Sequence, residues 1–238
     1  MPIEQITTTG IKEYLSKFGD LGGVIDFKFF KVSGASSGLD EHLLAANQTL
    51  ELLRQDNDNY FNKIAKSLNT NRDAYFKVTS KLILSDEAKL ITPEDFFGPY
   101  FNFKEQRPIL LGTTGRLFQN VTVFNDYYYY DEIEIPENIV SVKTNGKSKF
   151  ATQGYADAFL KPPHYFGKKG MTNFDIGKIF LEFNQFLFDD ISKIIVYSWQ
   201  TDCSNYFDAG KEWWGSFFWT VYNPGRKWYI GIAASTTD

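Results

Sequence analysis

The chain has 238 residues, with 25 basic and 29 acidic side chains and a formal net charge of −4 at pH 7. Its hydrophobic fraction of 43% excludes an intrinsically disordered protein. No uncharged apolar run approaches the roughly 18 residues that span a bilayer, so an integral membrane protein is excluded as well. The acidic balance argues against sequence-independent binding of nucleic acid, which depends on an excess of lysine and arginine.

Cysteine and histidine are scarce. One cysteine, Cys203, allows neither an intrachain disulfide nor a cysteine-based zinc cluster. The two histidines, His42 and His164, have no second ligand at metal-binding spacing. The first five residues have neither the basic region nor the apolar run of a secretory signal. We therefore expect a cytoplasmic protein that binds no metal, no cofactor and no membrane.

Helical patterns dominate the first hundred residues. Apolar spacing predicts a helix over 11–18, and the β-branched and aromatic residues of 24–32 predict a strand. Leucines predict a longer helix over 39–53, which the Asp/Asn cluster at 56–59 should interrupt before the period resumes at Tyr60. Residues 74–84 could be helical or mixed, and their periodicity fits both. Thr92-Pro93 marks another helix start, with proline at the first helical position.

The pattern becomes strand-like after Pro108. Asn145-Gly146 predicts a hairpin, and Thr172 begins a helix that should bury Phe180, Phe183 and Leu187. The predicted strands are residues 117–124, 127–135, 139–142, 193–199, 216–222 and 228–233. In the strand at 216–222, side chains two apart share a face, so Phe217, Trp219 and Val221 should be buried together.

This order of elements predicts an α+β fold. A helix-rich N-terminal part, residues 1–107, is expected to pack on a mostly antiparallel sheet formed by residues 108–238. The alternative is a single domain over 1–238, in which both parts share one core.

Catalytic motifs are not evident. The sequence Gly112-Thr113-Thr114-Gly115-Arg116 lacks the lysine and the spacing of a phosphate-binding P-loop, so it is interpreted as a turn. Cys203 has no adjacent histidine in sequence that could activate it. An enzyme is therefore the less favoured class.

Aromatic residues beside carboxylates are the strongest functional signal. If residues 127–135 form a strand, Tyr128, Tyr130, Glu132 and Glu134 share one face. A second such group follows 200, and its members are Asp202, Tyr206, Asp208, Glu212, Trp213 and Trp214. Exposed aromatics among acids are typical of a docking site for a basic protein partner. The competing interpretations are an aromatic core with tyrosines at its rim and an edge strand kept soluble by its charges.

The same residues permit one enzymatic alternative. Two carboxylates at a tryptophan-lined cleft would suit hydrolysis of a glycosidic bond. The candidates for that pair are Asp202, Asp208, Glu212, Asp189 and Asp190. No spacing rule brings any two of them together in space, so the carbohydrate-active hydrolase is an alternative to protein binding.

The aromatic run 213–222 and the C-terminal run 230–238, together with the acidic tyrosine segment, resemble the immunity proteins of bacterial polymorphic toxin systems. The resemblance implies a bacterial inhibitor of the toxin–immunity type, which binds a cognate toxin in the cytoplasm and occludes it. It carries no residue roles over. An acidic surface would then meet a basic toxin cleft by charge complementarity.

Overall fold

The computed structural model describes residues 3–32, 38–98, 101–104, 106–110, 117–118, 121–124, 126–127, 140–143, 154–164, 166–211 and 214–235. The helices are α1 (Thr9–Asp20), α2 (Leu39–Leu68), α3 (Pro93–Phe97), α4 (Gly154–Leu160), α5 (Asn173–Phe188) and α6 (Asp208–Lys211). The strands are β1 (Ile3–Gln5), β2 (Ile25–Val32), β3 (Ala88–Ile91), β4 (Phe101–Asn102), β5 (Arg107–Leu110), β6 (Leu117–Phe118), β7 (Val121–Phe124), β8 (Asp126–Tyr127), β9 (Val140–Lys143), β10 (Ile195–Trp199), β11 (Ser216–Asn223) and β12 (Trp228–Ser235). No helix among the described residues is long and apolar enough to cross a membrane.

The chain forms two compact units, each assembled from separate stretches of sequence. The first contains Met1–Thr9, Ile25–Ile91 and Ile194–Asp238, and the second contains Gly10–Val24 and Thr92–Lys193. The division expected at residue 107 therefore falls inside the second unit. Secondary structure alone could not indicate this arrangement, because it depends on which distant segments pair.

A six-stranded sheet organises the first unit. Its strand order is β1-β2-β12-β11-β10-β3, and every pairing in it is antiparallel. The predicted α+β fold with an antiparallel sheet is therefore confirmed. Three of the strands, β1, β2 and β3, come from the first hundred residues and frame the three that follow residue 190.

Helix α2 packs on one face of this sheet. Gly231 of β12 allows the close approach, because a Cβ atom there would lie 1.8 Å from the Thr49 hydroxyl oxygen. Around this contact Leu50 and Leu53 of the helix meet Phe218 of the sheet in a buried cluster. Burial of such side chains provides much of the stabilising free energy of a domain.

Side chains on the opposite face of the sheet are also buried. Ile230 and Ile232 of β12 and Val221 of β11 have no exposed surface, and Trp219 is 5% exposed. The predicted burial of Trp219 and Val221 is thus confirmed, while Phe217 on the same face is half-buried and stacks on Trp219 at 5.1 Å. Strand β12 is buried on both faces, and its residues are nearly all apolar, as is usual for such a strand.

Helix α2 is continuous from Leu39 to Leu68. The interruption expected at the Asp/Asn cluster is wrong, because the side chains of that cluster bind cations instead of competing for the backbone. Asp56 accepts a hydrogen bond from Lys28 at 2.6 Å, and Asp58 accepts one from Arg72 at 2.7 Å. Asn69 then ends the helix in a left-handed conformation.

The second unit is built around aromatic rings. Phe96 stacks on Tyr155 at 4.8 Å, and Phe159 meets Phe180 edge-on at 5.1 Å. Helix α5 begins at the predicted position, where Thr172 and Asp175 form a reciprocal capping box. The predicted burial of Phe180, Phe183 and Leu187 is confirmed, as is the helix start at Thr92, whose hydroxyl accepts from the Asp95 amide.

Two small sheets complete the second unit, with strand orders β4-β5-β8 and β6-β7-β9. They cover parts of the predicted strands 117–124, 127–135 and 139–142. The rest of the tyrosine-rich strand and the Asn145-Gly146 hairpin lie outside the described residues.

Candidate functional site

Asp202 and Asp208 are both exposed, as the prediction of an acidic surface requires. They share one cation, because Lys211 Nζ lies 2.5 Å from Asp202 Oδ1 and 3.2 Å from Asp208 Oδ1. The hydrogen bond from Lys211 lowers the pKa of Asp202 below its ordinary value. The lysine therefore keeps Asp202 ionised but offsets part of the negative charge that a basic partner would meet.

The two described aromatic members of the same group, Tyr206 and Trp214, face inward. Trp214 is buried and meets Phe217 edge-on at 5.8 Å, contrary to the exposure expected from the sequence. Tyr206 is half-buried, and its hydroxyl donates to Asp26 Oδ2 at 2.8 Å. Burial raises the pKa of Tyr206 well above its ordinary value. Both rings therefore serve packing, which adjacency in sequence could not distinguish from display.

The remaining predicted site residues are Tyr128, Tyr130, Glu132, Glu134, Glu212 and Trp213, and they lie outside the described residues. Their part of the acidic–aromatic surface stays a prediction.

Two of the carboxylates proposed for hydrolysis, Asp190 and Asp202, do not have the environment of a general acid. Asp190 lies in the turn after α5 and accepts hydrogen bonds from the amide and the hydroxyl of Ser192. Its Oδ2 also forms an ion pair with Lys193 Nζ at 2.7 Å. These contacts, led by Lys193, lower the pKa of Asp190 to about 2. A glycosidase acid needs a raised pKa, which Asp190 and Asp202 both lack. Within the described ranges no three His, Cys, Asp or Glu side chains are placed to hold a metal ion.

A different surface was not predicted from the sequence. The exposed large apolar side chains among the described residues all fall between 60 and 90, in the first unit: Tyr60, Leu68, Phe76, Leu82, Leu84 and Leu90. Single exposed apolar residues are common, but here all six fall within one stretch of the chain.

Ile83 explains why two of these leucines point outward. It is 2% exposed and packs in the core cluster of the first unit. Asn47 of α2 holds its backbone from both sides, accepting from the Ile83 amide at 2.9 Å and donating to the Ile83 carbonyl at 3.3 Å. Alternate residues of an extended segment face opposite ways, so Leu82 and Leu84 are 72% and 56% exposed.

Glu87 fixes the turn that joins this segment to the edge strand. Its Oε2 accepts from the Leu84 amide at 2.9 Å, and its Oε1 lies 3.7 Å from Lys81 Nζ. The chain then enters β3, where Lys89 and Leu90 are both exposed. We call the group Lys81, Leu82, Leu84, Lys89 and Leu90 the leucine edge.

Strand β3 ends the sheet. It pairs with β10 on one side, with Leu90 opposite Tyr197 and Lys89 opposite Ser198, and no strand in the described part of the chain pairs with its other side. Residues 60–91 contain the bases Lys63, Lys66, Arg72, Lys77, Lys81 and Lys89 and the acids Asp73, Asp86 and Glu87. Three of these bases form ion pairs: Arg72 with Asp58, Lys77 with Asp73 and Lys81 with Glu87. Strand β3 is therefore an edge strand of the described sheet, with an exposed lysine and an exposed leucine on it.

A shallow hollow in the second unit lies against α1 and the turn before α5. It has a volume of about 630 Å³, and lysines and acids share its wall, among them Lys12, Lys168, Glu13 and Asp20. Because both signs of charge are present, the hollow favours neither an anionic nor a cationic ligand.

His42 of α2 is fully buried, and its ring centre lies 4.7 Å from that of Tyr197 and 5.1 Å from that of Tyr229. Its Nδ1 lies 2.8 Å from the Thr220 hydroxyl, which already accepts from Trp199 Nε1 at 2.9 Å. Which of the two atoms donates depends on the tautomer of the ring. Burial lowers the pKa of His42 to about 3, so the ring is neutral and structural.

Asp157 of α4 is the buried acid of the second unit, at 3% exposure. Lys161 Nζ lies 3.3 Å from its Oδ1. Burial outweighs the attraction to Lys161 and raises the pKa of Asp157 to about 6. The pair lies on α4 beside the buried rings of Tyr155 and Phe159.

No family model matches the chain, and no curated protein or solved structure matches it either.

Proposed function

We propose that the chain is a protein-binding protein that recognises its partner through the leucine edge. The observation that carries the proposal is the outward display of Leu82, Leu84 and Leu90 from a backbone that is held rigidly in place. If these leucines had no function, their replacement by polar residues would not affect partner binding. If they form a docking surface, the same replacement should abolish it.

The rigidity of this surface supports the proposal. Asn47 fixes the segment at Ile83, and Glu87 fixes the turn that follows. A preorganised surface loses less conformational entropy on binding than a mobile loop does. The leucine edge therefore has both the apolar character and the order that a stable complex requires.

The kind of partner is proposed from the sequence resemblance to immunity proteins. In that case the partner is a toxin, and binding inhibits it by occluding a functional surface. The proposed compartment is the cytoplasm. Cys203, which is buried and has no disulfide partner, is compatible with its reducing conditions.

The proposal is tested by capture of the partner from cells that express the tagged chain. Wild type is compared with a Leu82→Ser/Leu84→Ser double variant and with a matched Asp202→Asn/Asp208→Asn variant. We expect the partner to be retained by wild type and by the Asp variant and to be lost from the Leu variant. Expression of the captured protein alone should arrest growth, and co-expression of wild type should relieve the arrest.

Both double variants change exposed side chains, so each should keep the wild-type unfolding free energy to within about 0.5 kcal/mol. Retention of the partner by the Leu variant would contradict docking at the leucine edge. Loss from the Asp variant alone would instead favour the acidic surface predicted from the sequence. A captured protein that is harmless when expressed alone would contradict the immunity role while leaving protein binding in place.

No observation among the described residues favours the carbohydrate-active hydrolase. Asp202 and Asp208 both bind Lys211, and Trp214 is buried instead of lining a cleft.

A further inference from the structure

We infer that the partner contributes an extended segment of alternating acidic and apolar residues, which adds to the sheet as a strand beside β3. This inference rests on the proposed function and specifies the chemistry of its docking site. The structural basis is the juxtaposition of an open strand edge, Lys89 and Leu90 at one place.

The open edge provides the backbone contacts. In an antiparallel pair, alternate residues direct their amide and carbonyl groups away from the partner strand. Because β3 pairs with β10 on one side, about half of its four residues direct these groups to the side on which the described residues place no strand. An extended segment satisfies such groups by β-strand addition.

The side chains of β3 specify the pattern of the added strand. Leu90 stands opposite Tyr197, on the sheet face that α2 covers, and Lys89 points to the other face. Side chains directly across a strand pair contact each other, and unlike charges or two apolar groups are favourable there. A segment with an apolar residue beside Leu90 and an acidic residue beside Lys89 satisfies both positions.

Lys89 carries the charge preference, because Lys81 is paired with Glu87. Lys89 is exposed, so its ammonium can reach a partner carboxylate. Lys81 lies at the start of the same edge, held by Glu87. Leu82 and Leu84 extend the apolar surface beyond the strand itself.

A second copy of the chain would fit this edge poorly. If two β3 strands paired with Lys89 opposite Lys89, like charges would face each other. A shift by one residue would place Lys89 opposite Leu90, and a pairing centred on Leu90 would place Lys89 opposite Ile91, so each leaves the ammonium facing an apolar residue. An acidic, apolar-patterned segment avoids both conflicts, and we therefore assign the edge to a different protein.

The probe for this inference is a displayed library of random twelve-residue peptides, selected on the whole protein at low ionic strength. We expect the enriched peptides to alternate Asp or Glu with apolar residues. In the complex, amide hydrogen exchange should slow within Ala88–Ile91. Lys89→Glu should weaken binding about tenfold, because a cross-strand attraction becomes a repulsion.

Reversing the charges of both the peptide and residue 89 distinguishes strand addition from nonspecific binding. Replacing the acids of a selected peptide by lysine should restore its binding to the Lys89→Glu variant. The control is Lys12→Glu, which makes the same change of net charge in the second unit and should bind acidic peptides as wild type does. Selected peptides without acidic enrichment, or binding that Lys89→Glu leaves unchanged, would overturn the inference.

The two proposals fail in different ways. Partner capture that is lost with Leu82→Ser/Leu84→Ser but unchanged by Lys89→Glu would leave the leucine edge as a docking site and reject the added strand. Partner capture that survives the Leu82→Ser/Leu84→Ser change would reject the docking site itself.

Discussion

The buried histidine makes the first unit sensitive to acid, and the size of the effect follows from its environment. His42 has a pKa of about 3 in the folded chain, against an ordinary value of 6.5. Between these values the unfolded chain binds a proton that the folded chain does not. The contribution of neutral His42 to the free energy of unfolding is therefore fully present above pH 6.5 and is lost as the pH falls towards 3.

The expected loss between pH 7 and pH 5 is about 2 kcal/mol, at 1.36 kcal/mol per pKa unit. We expect His42→Gln to lack this loss, because glutamine does not titrate. Other groups change protonation over the same range, so the measured quantity is the difference between wild type and variant in their change of unfolding free energy from pH 7 to pH 5.

Urea unfolding followed by tryptophan fluorescence isolates the relevant unit. All five tryptophans lie in the stretch 194–238, which belongs to the first unit. His164→Gln is the matched control, since it removes an exposed histidine from the second unit and should keep the acid loss of wild type. Equal losses in wild type and His42→Gln would refute the assignment of His42 as a buried neutral ring.

Three further predictions concern packing and the second buried titratable group. Gly231→Ala should destabilise the first unit by about 1–3 kcal/mol through its clash with Thr49, and Thr49→Ala should recover part of that loss in urea unfolding. Trp219→Ala should cost about 3–5 kcal/mol in the same assay, because a buried ring leaves a cavity. In the second unit, the raised pKa of Asp157, about 6, means that the folded state binds the extra proton, so stability rises by about 1 kcal/mol from pH 7 to pH 5. Asp157→Asn should abolish that rise, as measured by amide hydrogen exchange in α5.

Each of these predictions has an outcome that would count against it. Independent, additive effects of Gly231→Ala and Thr49→Ala would show that the two residues do not meet. A cost below about 1 kcal/mol for Trp219→Ala would mean that the indole is not packed as described. Unchanged pH dependence in Asp157→Asn would place the titrating group elsewhere.

Local signals in the sequence were sufficient where structure is decided locally. Helix α5 follows from the Thr172 cap and its apolar period, and β11 and β12 follow from dense β-branched and aromatic residues around a turn at Asn223-Pro224-Gly225-Arg226. Both kinds of signal act between residues a few positions apart.

Tertiary contacts decided the features that the sequence did not indicate. Asp56 and Asp58 would favour a helix break by themselves, but binding to Lys28 and Arg72 keeps α2 intact. The sequence around Ile83 fits more than one type of secondary structure. Its extended conformation depends on hydrogen bonds to Asn47, which lies 36 residues away. The leucine edge, the central element of the candidate site, depends on that distant amide and could not be read from spacing.

The position of β12 between β2 and β11 has a consequence for biosynthesis. A nascent chain that has emerged only to residue 190 contains β1, β2 and β3 but lacks the strand that joins β2 to the rest of the sheet. The sheet can be completed only after residues 228–235 leave the ribosome, and until then β2 lacks the strand with which it pairs on that side.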